Sequence, residues 1–289
     1  MMIDLHVHTT YSDGTDTVRQ ILRKAEELKL EVISITDHNT CKAYYEMEKF
    51  NVKEIYKGDI IVGCEFTANY DNRLIEVLGY NFDYRKVSKY LQKKYNFLHN
   101  KKKFKYFYKE VNNKIKRYGL ECDLNVIKQA KRGKIFEIAV YEELRKYEKN
   151  RKIIDENIWD SYSDYYRKGI TNSKSKMFIN KAKFYPSVKE IVDLIHESGG
   201  VAFLAHPYQY KFNDTEEFLE KIYNENSLDG VECFYTTFNE EQTNYLISFA
   251  RDNNLLISGG SDYHGLNKKD HNLGIGRGNL NISKDIIKN

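Results

Sequence analysis

The sequence predicts an α/β protein in which a parallel sheet or barrel is interrupted by a helical insertion. Three observations carry this expectation. Short apolar, β-branched runs alternate with amphipathic stretches toward both ends of the 289-residue chain. Acidic residues and histidines close many of those runs. The stretch 85–184 breaks the rhythm, with 28 Lys/Arg against 11 Asp/Glu and 17 of the 40 aromatic residues. The other 189 residues carry 18 and 31, so a chain of net charge +4 divides into a +17 segment and a −13 remainder. Such a shift marks an inserted unit and predicts boundaries at 1–84, 85–184 and 185–289.

Taken in order, Ile3–His8 reads as a short strand. Thr15–Leu28 has apolar Val18, Ile21, Leu22, Ala25 and Leu28 at helical spacing. Val32–Thr36 is a β-branched strand ending at Asp37-His38, and Ala43–Phe50 is helical. Ile60–Cys64 is a strand stopping at Glu65, and Leu74–Gly79 is a further strand. Lys86 to about Lys152 has helical periodicity without a strong strand, and Arg167–Lys183 reads as loop. The alternation then returns. Helix Val188–Ser198 ends at Gly199-Gly200, and strand Val201–Ala205 ends at His206-Pro207. Helix Phe218–Asn224, strand Gly230–Tyr235, helix Glu240–Asp252 and strand Leu255–Gly259 follow, the last ending at Ser261-Asp262.

Composition narrows the function class. Apolar residues at 41% and charged residues at 30% allow a sizeable core. No apolar run approaches the roughly 18–20 residues of a membrane span, and the N-terminus lacks the basic and apolar regions of a secretory leader. Cys41, Cys64, Cys122 and Cys233 form no Cys-x-x-Cys, which predicts reduced thiols and a cytoplasmic location. No obligate protein partner is evident.

The chemistry falls at strand ends: His6 and His8, Asp37-His38, Glu65, His206 and Asp262-x-His264. In a barrel of parallel strands such ends converge on one rim. Alternation along a strand puts His6 and His8 on one side. Five of eight histidines lie at these ends, more than a proton-transfer site needs, and the Gly-x-Ser-x-Gly of a serine nucleophile is absent. Imidazoles with carboxylates and no thiolate suit borderline divalent ions (zinc, manganese or iron), and the number of ligands suggests more than one.

On these residues the sequence resembles the PHP (polymerase and histidinol phosphatase) superfamily of metal-dependent phosphoesterases. The resemblance rests on Asp4-Leu-His6-Val-His8-Thr-Thr-Tyr-Ser-Asp13-Gly, Ile35-Thr-Asp-His38, Gly63-Cys-Glu65, Leu204-Ala-His206-Pro, Gly230-Val-Glu232 and Gly259-Gly-Ser-Asp262-Tyr-His264-Gly. It implies a distorted (β/α)7 barrel with a helical insertion domain. It looks closest to the bacterial enzymes that remove phosphate from nucleoside 3′,5′-bisphosphates or trim RNA from its 5′ end. It further implies a trinuclear site. A first ion would take His6, His8, Glu65 and Asp262. Glu65 would bridge to a second, held also by Glu76 and His206. Asp13, His38 and His264 would hold a third. Relatives usually place a histidine where Glu76 stands, and a carboxylate there favours manganese or iron over zinc.

Two to three divalent ions (Mn, Fe or Zn) are therefore the expected cofactors. Three would carry +6 against −4 from Asp13, Glu65, Glu76 and Asp262, leaving charge for a phosphate dianion and a bridging hydroxide that attacks phosphorus in line. Catalytic roles are expected for Asp262, His38 and His264, the histidines as proton donors to the leaving alkoxide. Relatives carry an Arg-Pro-His segment in the insertion. The corresponding Gly133-Lys-Ile-Phe-Glu-Ile-Ala139 lacks it, so Lys134, Lys183 and Arg277 become the candidate phosphate-binding cations. Asp37 and Glu232 read as supporting partners of ligands, and His99, His196 and His271 as surface or helix residues.

The expected substrate is a phosphorylated small molecule or an oligonucleotide end, guided by the basic, aromatic-rich insertion. The alternatives are a sugar- or histidinol-phosphate phosphatase, a C–N hydrolase on a similar metal barrel, and a non-catalytic nucleic-acid-binding module with a degenerate metal site.

Overall fold

The computed structural model describes residues 2–125, 136–154 and 156–287. In chain order the elements are β1 (Ile3–Val7), α1 (Val18–Glu27), β2 (Val32–Ile35), α2 (Lys42–Met47), β3 (Asp59–Ile60), β4 (Gly63–Tyr70), β5 (Arg73–Tyr80) and α3 (Tyr84–Lys94). Next come α4 (Phe97–Tyr118), α5 (Phe136–Leu144) and α6 (Glu148–Ile153). The last are α7 (Val188–Glu197), β6 (Val201–Leu204), α8 (Thr215–Asn226), β7 (Gly230–Tyr235), α9 (Glu240–Asp252) and β8 (Leu256–Gly260).

The helices start where local chemistry dictates. Thr17 and Gln20 form a capping box on α1, Ser187 and Glu190 one on α7, and Asn239 and Gln242 one on α9. Each satisfies backbone N–H groups that the first turn leaves without partners. The stripe Val18, Ile21, Leu22 and Ala25 of α1 is buried, as are Val188, Ile191, Val192 and Ile195 of α7. Each such large side chain contributes roughly 1.5–3 kcal/mol of hydrophobic stabilisation.

The chain folds as two compact units, one of residues 1–70, 75–93 and 186–289 and the other of 71–74 and 94–185. In the first, β1, β2 and β3 form a parallel sheet with Ile3 opposite Val32 and Val32 opposite Asp59. A second sheet runs β4-β5-β6-β7-β8. Single parallel bridges, Val7 to Tyr263 and His38 to Glu65, link the ends of the two sheets. The α/β class expected is present, as two sheets with one reversed strand, β5 pairing antiparallel to β6, Val77 opposite Leu204. The physical reason is the Asp71-Asn72 turn. Both residues have positive φ, 48° and 62°, the left-handed geometry of a two-residue hairpin that forces β4 and β5 to run in opposite directions. A correction concerns Glu65. It is not the stop of a strand 60–64. Strand β3 ends at Ile60, and Glu65 is the third residue of the new strand β4.

Ile3, Leu5, Val32, Leu78, Tyr80, Phe203, Ala205, Leu280 and Ile282 form a core in this unit. Gly260 lets β8 lie against β1: a Cβ there would stand 2.4 Å from the His6 amide nitrogen and 2.5 Å from the His6 Cβ.

The second unit has its own core, including Phe107, Val111, Val140, Leu144, Trp159, Tyr165 and Met177. Asn96 caps α4, and Gly119 ends it in the left-handed conformation at φ 63°. The segment 167–183, expected as loop, contains the end of a π-helical stretch, Tyr165–Ile170, and a 3-10 turn, Ala182–Phe184. Among the described residues no helix is long and apolar enough to cross a membrane.

Candidate metal centre

His6 lies in β1, and His8 follows directly after it. Both imidazoles are fully buried. Glu65 of β4 stands between them and the other histidines. Its Oε2 lies 3.2 Å from His6 Nε2, 3.3 Å from His8 Nε2 and 3.1 Å from His38 Nδ1, and its Oε1 lies 3.0 Å from His206 Nε2. Asp262 Oδ1 lies 3.2 Å from His8 Nε2 and 3.6 Å from His6 Nε2. Asp13 Oδ1 is 3.1 Å from His264 Nε2, and its Oδ2 is 3.6 Å from His38 Nε2. Glu76 on β5 completes the set, 3.6 Å from His38 Nδ1 and 3.4 Å from His206 Nε2. Rings pack closely, with His8 and His264 centroids 4.0 Å apart and His8 and His38 4.5 Å apart.

These nine residues compose four overlapping groups in which donor atoms lie within 4.8 Å of one another: His8, Asp13, His38 and His264; His6, His8 and Asp262; His6, Glu65 and His206; and His38, Glu65 and Glu76. All nine ligand candidates of the sequence are therefore brought together in the first unit. The grouping differs in detail from the ligand sets implied by the resemblance: His8 falls with the Asp13 group as well as with Asp262, and His38 falls with Glu65 and Glu76.

Surrounding residues hold the rings in one tautomer. Glu232 Oε1 accepts from His6 Nδ1–H at 2.8 Å, which leaves His6 Nε2 as a bare lone pair. Its other oxygen accepts the His206 amide N–H at 2.8 Å. His264 Nδ1–H donates to the Asp262 carbonyl at 2.8 Å. Asp37 shapes the loop that carries Asp13, accepting from the Thr9 amide at 2.7 Å and from the Thr9 and Ser12 hydroxyls at 2.6 Å each. Asp4, fully buried, accepts from the Ser261 hydroxyl and amide at 2.5 and 2.9 Å and from the Gly274 amide at 2.7 Å. His206 and Asp262 adopt positive φ, 23° and 53°, a strain typical of functional positions.

A divalent ion fits this donor set. His6 Nε2, His8 Nε2, His38 Nδ1, His264 Nε2 and Glu65 Oε2 are buried and have no hydrogen-bond partner, although Glu65 Oε2 stands 3.2, 3.3 and 3.1 Å from His6, His8 and His38, and His264 Nε2 stands 3.1 Å from Asp13 Oδ1. Buried polar atoms are rarely left so, and cations held by the four overlapping groups would satisfy them. The electrostatics agree. Burial drives the His6 imidazole down, but Glu232, Glu65 and Asp262 together raise it well above its usual value. Burial likewise opposes charge on His8, yet Asp262 and Glu65 push it up to about 9. Burial and then the Glu65 charge raise Glu76. The centre is short of positive charge.

Lys183 is in the second unit, its ammonium 3.3 Å from the centroid of the Tyr106 ring. Arg277 is exposed, and its Nε donates to Asp270 Oδ2 at 2.8 Å. Lys134 lies outside the described residues. His271, expected on the surface, is buried and donates from Nδ1 to the Ser261 carbonyl at 3.0 Å. Sequence reasoning missed Lys268 and Tyr235, both on Asp262 Oδ2, at 2.5 and 2.6 Å. Tyr235 could have been flagged as the end of a strand already expected to bear Glu232. Lys268 sits in a loop with no periodic signal.

Known proteins place the chain. It is 26% identical over 266 residues to a 5′-3′ exoribonuclease of Haemophilus influenzae, covering 90% of this chain and 89% of that one. It is 25% identical to the phosphoribosyl 1,2-cyclic phosphate 1,2-diphosphodiesterase of Eggerthella lenta, covering 92% and 95%. The crystal structure of a candidate metal-dependent phosphoesterase from Bifidobacterium adolescentis superposes with a TM-score of 0.68 at 24% identity over 99% of this chain and 94% of that one, which establishes a common fold. The family model for the PHP domain matches residues 4–236, from the first aspartate of β1 past the end of β7, and the chain belongs to that family.

Proposed function

We propose that this chain is a metal-dependent phosphoesterase that hydrolyses phosphate esters of nucleotides or oligonucleotide ends, using two to three divalent ions of manganese, iron or zinc in a trinuclear arrangement. One observation carries this reading: nine residues converge with nitrogen and oxygen donors and no sulfur, and five of their buried atoms have no hydrogen-bond partner. The exoribonuclease relative supports an oligonucleotide 5′ end as substrate. The diphosphodiesterase relative favours a second reading, a small cyclic or sugar phosphate. Four unpaired cysteines support a reducing cytoplasmic compartment.

Held by these residues, divalent ions supply charge against that developing on the phosphoryl oxygens and lower the pKa of water. The chain's own residues do the rest. His6, His8 and Glu65 form the sealed floor, whereas His38, Glu76 and Asp13 are 26%, 28% and 45% exposed, so the phosphate approaches from their side. His38, on that open side, is the proposed proton donor to the leaving oxygen. His264, its tautomer set by the Asp262 carbonyl, would offer Nε2 to an ion beside Asp13. Asp262 offers Oδ1 to the His6 and His8 pair. Arg277 remains the proposed phosphate-binding cation of this unit, and it must leave Asp270 to serve.

The test is hydrolysis by Mn-reconstituted protein of nucleoside bisphosphates, 5′-phosphorylated oligonucleotides, cyclic phosphates and simple monoesters, beside chelated protein. Turnover that persists under excess chelator overturns the reading, and preference for cyclic sugar phosphates selects the second one. Glu76→Ala should lose one ion, and Glu76→His should keep it and shift preference toward zinc. Unchanged metal content in Glu76→Ala would remove Glu76 from the ligands.

A further inference from the structure

The two oxygens of Asp262 have different surroundings. Oδ1 faces His8 Nε2 at 3.2 Å, His264 Nδ1 at 3.2 Å and His6 Nε2 at 3.6 Å. Oδ2 faces away and accepts two hydrogen bonds, from the Tyr235 hydroxyl at 2.6 Å and the Lys268 ammonium at 2.5 Å. Tyr235 ends β7, and Lys268 comes from the loop after β8, so two separate elements meet on one atom. Asp262 itself is 2% exposed and is held at φ 53°. A carboxylate in this state has one free oxygen. Charge-assisted hydrogen bonds of this length are strong, and rotating the carboxylate to offer both oxygens to an ion would break them.

We propose that Tyr235 and Lys268 are positioning residues that clamp Asp262 Oδ2, so that Asp262 serves as a one-oxygen ligand through Oδ1. This rests on the metal-dependent reading above. No role in touching substrate is assigned to either residue. The phenol supplies geometry without charge. The ammonium supplies geometry and also offsets one of the carboxylate charges crowded in the centre.

The test is Mn2+ titration by calorimetry on the full chain, beside thermal unfolding of the metal-free protein to confirm folding. Outer partners of metal ligands are typically worth 10–100-fold in affinity. Tyr235→Phe, which keeps the ring, should weaken one Mn2+ site by about 10-fold. Lys268→Met should weaken the same site by at least as much, and Lys268→Arg should restore most of the loss. The decisive comparison is in an Asp262→Asn background, where both substitutions should have no further effect on Mn2+ affinity. A merely structural role would leave their effects intact there. Tighter Mn2+ binding in Lys268→Met would show an ammonium that only competes with the ion, and would overturn the clamp. Affinity in Tyr235→Phe within twofold of the parent would do the same. Because the readout is binding, a parent that takes up Mn2+ but hydrolyses no phosphoester defeats the functional reading alone. A parent that binds no Mn2+ defeats both.

Discussion

The two units bury polar groups in opposite ways. In the second, the buried side chains of Asn150 and Lys181 find partners within the unit. The Asn150 amide donates to the Glu121 and Leu144 carbonyls at 2.8 Å each and accepts the Glu121 amide at 2.9 Å. Buried Lys181 pairs with Glu137 at 2.5 Å beneath the rings of Phe107 and Tyr166. Burial pushes the Glu137 carboxyl upward, and the Lys181 charge more than offsets it, so the carboxyl is held below its usual range. In the first unit the buried imidazoles of His6, His8 and His264 turn ring nitrogens without hydrogen-bond partners toward the carboxylates of Glu65 and Asp13. Among the described residues, every group able to hold a metal lies in this unit. Asn150 and Lys181 serve the stability of their own unit. The donors of the metal centre are left unsatisfied among satisfied neighbours such as Asp4 and Asp37, which keeps a site poised for a charged ligand.

The strongest test of that contrast removes a ligand. Asp262→Asn or His8→Ala should lower kcat/KM by about 10³-fold or more, since the loss of one preorganised electrostatic group already costs 10²–10³-fold. Steady-state assay with metal analysis would check it, and activity within tenfold of the parent would erase the distinction between the units.

Trp159→Ala probes the other side. Trp159 is 1% exposed, in the core of the second unit. Its truncation should cost that unit roughly 3–5 kcal/mol. Denaturant unfolding should register the loss while metal stoichiometry stays at the parent value. Loss of bound metal would show that the centre depends on the second unit's packing.

The residues for that first test could be read from the sequence because ligation demands particular chemistry at particular strand ends. His6-x-His8, Asp13, His38, Glu65, His206 and Asp262-x-His264 all come together. Lys268 could not be read this way, since a lysine in a loop has no spacing that marks what its four-carbon stem will reach. Strand β5 was legible as a strand, but its direction was not, because that depended on two residues of positive φ at Asp71-Asn72.

The smallest effect concerns the charge difference. Lys101 and Lys102 of α4 are exposed, whereas Lys103 is half-buried with its ammonium 3.3 Å from the Tyr185 hydroxyl. Neutralising Lys101 and Lys102 should therefore flatten the salt dependence of kcat/KM for a 5′-phosphorylated oligonucleotide, by ~0.7 in log–log slope for each lysine–phosphate pairing removed. A mononucleotide should be unaffected. Equal slopes before and after substitution would leave the insertion's charge without a role in substrate capture.

By itself the sequence determined which residues could ligate and that a basic stretch interrupts an acidic frame, because residue chemistry and local periodicity act over a few positions. The tertiary structure alone decided that the strands split into two sheets around a reversed β5, that Gly260 lets β8 approach His6, and that Tyr235 and Lys268 meet on one oxygen of Asp262. Those outcomes depend on pairing register and on side-chain reach between residues far apart in the chain, and no local pattern encodes such distances.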